Sequence, residues 1–449
     1  MKHRIIGCAL LLAGCAAVIA CLQGCGPHYV SESADYPPIF PDYVGVTVPQ
    51  DMAKLNFEMA DGRKFKQTRE FRDGTEWVSV TAWEKGSKDA VRYKEFPIYR
   101  SQDKIDPYIA YRLIEPGYES WHDIYICERE LASYKEKKIV TNAANNGGCV
   151  NCHTFQGGSP DRMLFHARGK GGGTVFIEDG KARILNLATV GPKRQGTYPA
   201  WHPEGRYVVF SSNSTFQFFT IDHSQPIEVY DTASDIILMD LQNDSIVVPP
   251  MLSGEERLET FPAWSEDGRT LYYCAADKPA DVVANRGEMH YKLMSIGFEN
   301  GEFTGEPQVV WEDPEGSASF PRIKNGRILF TRSDFATFPI WHKEADLWML
   351  DPATGEAAPA ENLNSESTES YHSWSSNGRW VVFGSRRIDD RYTRLFIAHC
   401  NEDGSFDKPF LLPQRKPSHN RLRLKSYNIP EFVGAEVPSY EKEVSKLFE

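Results

Sequence analysis

Five residues of this sequence have types and spacing that could do chemistry together: Cys149-Val150-Asn151-Cys152-His153, preceded by Gly147-Gly148. Cys-x-x-Cys-His is the attachment signature of c-type haem. Two thiols three residues apart reach the two vinyl groups of one porphyrin, and the imidazole that follows lies under the iron as proximal ligand. With 9 Cys and 12 His in 449 residues, chance yields the pattern in about half a per cent of chains of this composition. The chemistry implied is single-electron transfer through one covalent haem c on Cys149, Cys152 and His153. Three other readings of the pair stay open. A redox dithiol would open a helix of a thioredoxin-like unit. A zinc knuckle would need ligands that no second Cys pair supplies. A structural disulfide or a chance match is the third. For the sixth iron position His166 and Met163 are nearest in sequence, with His202 and His372 further away, and an open site is the alternative.

Other catalytic constellations are missing. The sequence has no nucleophile elbow, His-Glu-x-x-His or phosphate loop. The run Arg168-Gly169-Lys170-Gly171-Gly172-Gly173 joins two strand-like segments. It therefore offers no helix N-terminus to an anion and reads as a hairpin loop.

Haem attachment takes place outside the cytoplasm, and the N-terminus is consistent with export. Lys2 and Arg4 precede an apolar stretch over 5–22, the n-region and h-region of a secretory signal. Two segments place small residues before a cysteine, as lipoprotein signals do: Leu12-Ala13-Gly14-Cys15 and Leu22-Gln23-Gly24-Cys25. Cleavage before Cys25 leaves a polar tether, whereas cleavage before Cys15 leaves an apolar start. Cys25 is therefore the expected lipidation site, Cys15 the alternative, and an uncleaved anchor helix the remaining reading. The remaining chain is expected in the cell envelope, facing the periplasm or cell exterior. Cys127, Cys274 and Cys400 sit in apolar runs and read as buried small hydrophobes.

The elements that must position the motif are strands. After a linker at 25–39, short extended segments at 44–48, 55–59, 77–83, 91–99, 109–114 and 124–127 alternate with Gly/Pro/Asp turns. They predict a small β-sandwich-like domain over 40–141, with a charged helix at 128–138. Residues 142–158 form the haem-attachment segment. From 159 to 449 the chain repeats. Tyr198-Pro-Ala-Trp-His-Pro-Glu-Gly-Arg206, Phe261-Pro-Ala-Trp-Ser-Glu-Asp-Gly-Arg269, Phe320-Pro-Arg-Ile-Lys-Asn-Gly-Arg327 and Tyr371-His-Ser-Trp-Ser-Ser-Asn-Gly-Arg379 are each followed by an apolar strand. A fifth copy, Ser159-Pro-Asp-Arg162 followed by Met-Leu-Phe-His166, puts His166 in line with Phe210, Tyr273 and Phe383. Hairpins of this kind cannot bury both faces alone and are expected to stack radially as blades.

These repeats resemble the TolB-like β-propeller family, whose blades carry a Trp-Ser-Pro-Asp-Gly turn. The resemblance runs from about Ser159 to Pro413. It implies an all-β chain of five recognisable blades, a sixth being expected from the strands near 421–429, since six are common in that family. It also implies a docking platform for other envelope proteins, although propellers host many unrelated functions. Trp201, Trp264 and Trp374 are expected to be buried between blades.

Composition narrows the classes. With 50 Lys and Arg against 62 Asp and Glu, a net charge of −12 and no basic stripe, nucleic acid is excluded as a partner. With 41% hydrophobic and 12% aromatic residues, the chain can bury a sizeable core. The sequence thus supports two functions. One is a membrane-anchored extracytoplasmic monohaem cytochrome, more an electron carrier than a catalyst, with a propeller as docking surface and an unidentified redox partner. The other is a non-redox propeller that binds an envelope protein.

Overall fold

The computed structural model describes residues 29–115, 122–191, 193, 195–219 and 227–449. Cys15, Cys25 and the apolar stretch at 5–22 therefore lie outside the described residues. No helix among the described residues is long and apolar enough to cross a membrane. The described residues divide into two compact bodies, those up to Gly45 with Phe57–Tyr99 and Val46–Asn56 with Arg100–Glu449.

In the first body, Thr75–Trp83 alternates strictly between half-buried and buried residues. A strand with one face on a core requires that alternation. It pairs with Lys64–Arg72 on one side and with Asp89–Arg92 and Phe96–Ser101 on the other, while Tyr29–Glu32 runs parallel to Asp89–Arg92. Phe57 packs on Phe65 and Phe96, ring centroids 5.4 and 6.1 Å away.

The second body is a β-propeller arrangement of four-stranded antiparallel sheets. The first comprises Val150–Phe155, Arg162–Ala167, Gly173–Glu178 and Lys181–Leu185; the second Thr197–Trp201, Tyr207–Phe219, Ile227–Asp240 and Ser245–Val247. The third comprises Arg257–Trp264, Thr270–Asp277, Lys292–Glu299 and Glu302–Trp311; the fourth Ser317–Lys324, Arg327–Ser333, Asp346–Asp351 and Glu356–Pro359. The fifth comprises Glu369–Trp374, Trp380–Ser385, Arg394–His399 and Phe410–Leu411. The second and third sheets also meet at one parallel position, Ser234 opposite Leu258.

The last sheet differs from the sequence expectation. Its inner strand is Ser426–Val433, which pairs with Tyr108–Ile114, then Tyr125–Glu130, then Glu136–Thr141. Three strands assigned by sequence to the domain at 40–141 thus share a sheet with the C-terminal strand. The segment at 128–138 is a hairpin rather than a helix. Its charges are met internally: Arg129 donates to the carbonyl of Pro413 at 2.6 Å, and Glu128 accepts the amide of Val437 at 2.7 Å. Charged strand residues so satisfied need no exposed helix face.

Around the axis each inner strand lies against the next, and Ser426–Val433 lies against Val150–Phe155, closing the ring. Apolar clusters fill the clefts between neighbouring sheets: Ile126, Val140, Val150 and Phe165 in one, Leu164, Phe176, Trp201 and Phe210 in the next, Val209, Leu238, Trp264 and Tyr273 in the third. Trp201 and Trp264 are buried and Trp374 half-buried. Two of them tie sheets together, Trp264 Nε1 donating to the carbonyl of Ala200 at 3.2 Å and Trp374 Nε1 to that of Arg322 at 3.1 Å. The repeated turns need glycine, since Gly205, Gly268, Gly326 and Gly378 all have φ between +67° and +76°.

Candidate functional site

Every inner strand carries the same irregularity. Between Asn151 and Thr154, Thr197 and Ala200, Thr260 and Ala263, and Ser319 and Arg322, three steps on the inner strand face two on its partner. The register shifts after Asn428 in the same way, and after Ser370 by two steps against one, His372 pairing with Phe383. The residues that follow the last pair before each shift correspond: Cys152-His153, Tyr198-Pro199, Phe261-Pro262, Phe320-Pro321, Tyr371-His372 and Ile429-Pro430. A bulge re-aims side chains, and here the first residue of each pair is turned toward the axis. Tyr198, Phe261, Phe320 and Tyr371 form a collar there, with successive ring centroids 4.3, 3.9 and 4.5 Å apart. Cys152 has φ +51°, in the left-handed region, but so do Tyr198, Phe261, Phe320 and Ile429 within a few degrees. The strained backbone at the cysteine is therefore a property of the fold and no mark of cofactor chemistry.

The collar is incomplete. Where four sheets contribute a ring, the first contributes a thiol and the last an isoleucine. Beside that gap lies a cavity of about 660 Å³ lined by Cys149, Asn151, Cys152 and Ile429, by Arg112, Arg168 and Asn428, and by Tyr198, Tyr371 and Phe338. Asn213, Ser214, Thr215 and Gln217 line it from the long hairpin of the second sheet. Its volume falls within the usual range of small-ligand sites, about 300–1,000 Å³. Its rear wall is fixed by Arg112, whose Nη1 donates to the carbonyl of Val150 at 3.3 Å and Nη2 to Asn428 Oδ1 at 2.9 Å. The Cys149 carbonyl accepts from the Arg168 amide at 2.8 Å and from Asn145 Nδ2 at 3.2 Å. Gly148 permits that approach, because a Cβ there would stand 2.0 Å from the Arg168 carbonyl oxygen. On the opposite side of the collar, Trp201, Trp264, Trp374, Arg322 and Glu431 line a second cavity of about 650 Å³.

The predicted site residues separate. Cys149 and Cys152 line one cavity, as attachment to one group requires, and both are free thiols. Burial raises the Cys149 thiol above its ordinary pKa, which disfavours a reactive thiolate. His153 does not line that cavity. It is 1% exposed, burial and then nearby Arg112 push its pKa down to about 3, and neither ring nitrogen has a hydrogen-bond partner. Its neutral, unpaired imidazole has the electronic state of an iron ligand, but the ring does not reach the space onto which the two thiols open. The pair fits covalent attachment; the strand-borne histidine, as folded here, does not fit axial ligation.

The distal candidates also lie outside the cavity. His166 is buried, with Nδ1 3.4 Å from Thr174 Oγ1 and its pKa lowered to about 4 by burial and then by Arg168. Met163 belongs to the apolar cluster with Phe155 and Phe165. The pairing of His166 with Asn151 sets it level with Ser211, Cys274 and Thr331. Phe165 is then the residue that corresponds to Phe210, because this sheet's turn, which joins Phe155 to its partner Met163, is one residue longer than the turn that joins Trp201 to Val208, and alignment on Arg162 is out by that residue. His202 and His372 bond the carbonyls of Gly268 and Leu329 at 3.0 and 2.9 Å. Among the described residues no group of three or more His, Cys, Asp or Glu is arranged to hold a metal ion. Sequence reasoning missed Arg112 and Asn428, whose role arises only when the C-terminal strand joins the sheet of Tyr108–Ile114.

No family model matches the chain, and no curated protein matches it. Among solved structures it is similar to a prolyl endopeptidase, with 11% identity and a TM-score of 0.38 over 77% of this chain and 42% of that one. It is also similar to the β-propeller domain of the Trilobed protease from Pyrococcus furiosus, with 14% identity and a TM-score of 0.36 over 83% and 98%. The oligogalacturonate lyase from Vibrio parahaemolyticus gives 10%, 0.36, 76% and 98%. The chain spans 42% of that prolyl endopeptidase and 44% of a prolyl oligopeptidase B from Galerina marginata that it also matches. Likenesses this distant assign no activity to this chain.

Proposed function

We propose that this protein is a non-redox propeller binding module of the cell envelope, tethered to a membrane through Cys25, which receives its partner at the end of the axis where the collar is open. In this reading the six four-stranded sheets are six blades of a TolB-like propeller, and the C-terminal strand closes the ring. The observation that carries it is the gap at Cys152 and Ile429, beside a cavity of about 660 Å³ walled by aromatic and polar side chains. A concave site with convergent polar groups is where a ligand or an inserted side chain gains most from burial. The test is photocrosslinking in the native host, with a photoreactive amino acid at Gln217 on the cavity wall. The module reading expects one discrete adduct, lost when Ile429→Trp fills the gap. No adduct, or one indifferent to Ile429→Trp, would exclude this entrance.

One observation favours a second reading, covalent haem c on Cys149 and Cys152. Both thiols border a single cavity, and His153 is a neutral imidazole with unpaired nitrogens. Bound there, the group would supply single-electron transfer. His153 would have to enter the cavity by rearrangement of Val150–Phe155. A haem stain on membranes of the native host separates the two readings.

A further inference from the structure

The chain is acidic overall, with a net charge of −12, yet one surface reverses that sign. Residues 415–425 read Arg-Lys-Pro-Ser-His-Asn-Arg-Leu-Arg-Leu-Lys, five cations and no carboxylate. Within it basic and apolar residues alternate, Arg421-Leu422-Arg423-Leu424-Lys425. Leu422 and Leu424 are 71% and 70% exposed, the two most exposed large apolar side chains among the described residues. Two leucines left in water between cations are costly unless something apolar receives them.

The surroundings extend the basic character. Arg415, Lys416, His419 and Arg423 rim a depression of about 370 Å³, and Lys138, Arg423 and Lys425 rim a second of about 260 Å³ that shares Arg423 with the first. Lys138 stands over the Tyr125 ring, Nζ 3.6 Å from its centroid. The carboxylates nearby are engaged. Glu136 pairs with Arg423 at 2.7 Å, and Glu115 lies 3.9 Å from Lys425. Arg423, held by Glu136, and Lys137, matched by Glu128 and Glu436, add no net charge to the patch, whose positive sign rests on Arg415, Lys416 and Lys138.

We infer that this face docks on the anionic surface of a bilayer, with Leu422 and Leu424 entering the headgroup region and the flanking cations meeting lipid phosphates. Charge complementarity selects this occupant, because a chain of net charge −12 is repelled on average by an anionic membrane and meets it favourably only where its sign reverses. Exposed leucines set among cations are the pattern of interfacial insertion. The inference goes beyond the binding reading and does not depend on the lipid anchor.

The experiment uses the full chain carrying Leu424→Cys, labelled with an environment-sensitive dye. The cysteines of the described residues are buried. Vesicles of phosphatidylglycerol and phosphatidylcholine are compared with vesicles of phosphatidylcholine alone. The dye emission should shift to the blue on the anionic vesicles only. The shift should be lost in about 1 M salt, where the screening length falls to about 3 Å, and in Arg415→Glu/Lys416→Glu. A dye that stays in water on anionic vesicles, shifts equally on neutral ones, or shifts only when lipid-free envelope protein is added overturns the inference. Flotation with neutral vesicles reports the anchor separately.

Discussion

His153 and His372 occupy the same place in two sheets, each following the collar residue within the bulge, yet they serve differently. His372 is preceded by Tyr371, whose ring joins the collar against Phe320, and its Nε2 meets the Leu329 carbonyl at 2.9 Å. His153 is preceded by a thiol that leaves the collar open, and both of its nitrogens are unpaired. Burial lowers both imidazoles to about 3, with charge from Arg322 or Arg112 adding to it. The comparison separates what the fold requires at this position from what the sequence has left unused. A histidine is compatible with the bulge because it can bond the neighbouring strand. One that does not do so is available to something else.

The largest contrast is expected at the collar. Tyr371→Ala removes a buried ring and should cost about 3–5 kcal/mol, read as a lower urea midpoint, whereas Cys152→Ala should cost no more than about 1 kcal/mol. Equal losses would mean that the thiol is packed as tightly as the ring and that no gap exists. A smaller contrast lies one residue on. His372→Ala leaves the Leu329 carbonyl buried without its donor and should cost about 1–3 kcal/mol; His153→Ala breaks no hydrogen bond and should cost less. A larger loss for His153→Ala would place a bond at that ring and dissolve the distinction.

Acid titration sharpens the comparison further. Each imidazole binds its proton near pH 6.5 when unfolded and only near pH 3 when folded. Below 6.5 the unfolded chain therefore takes up protons that the folded chain refuses. Stability from each group is complete above about 6.5 and falls as pH drops toward 3. Asp231, Glu259 and Glu431, raised to about 7 by burial, act in the opposite sense and lose stability as pH rises from about 4 through 7. The total slope mixes both. The difference between the wild type and His153→Gln isolates one histidine, and the variant should lose less stability between pH 7 and pH 4.5. Parallel curves would show that His153 titrates normally.

The smallest effect is expected at Trp374, which is half-buried but donates to the Arg322 carbonyl. Trp374→Phe keeps a smaller aromatic ring and loses the bond, at a cost of about 1 kcal/mol, against a larger loss for Trp374→Ala in the same melting series.

Much of this architecture is written locally and the rest is not. The four Gly-Arg turns are legible because each needs a glycine at positive φ after an aromatic strand, a short-range requirement. The fifth copy is legible too, but its turn is one residue longer than those of the second and third sheets and displaces the alignment, so that His166 takes the place of small residues and Phe165 that of the aromatics. The sheet of Tyr108–Ile114 and Ser426–Val433 cannot be read from local pattern, since its strands lie some three hundred residues apart and Ile429-Pro430-Glu431-Phe432 keeps only the proline of the repeat. The Cys-x-x-Cys-His motif was legible as chemistry and illegible as geometry. Its last two residues are the first sheet's copy of the collar, and the bulge that turns Cys152 to the axis leaves His153 out of the cavity.

In the proposed binding module the Cys149–Cys152 pair borders a ligand cavity and holds no haem. Intact mass and thiol alkylation of the unfolded protein, purified from membranes of its native host, test this most directly. A binding module should yield a polypeptide with only its N-terminal modification and with Cys149 and Cys152 both alkylated. A chain heavier by one haem, with both cysteines blocked, would contradict it.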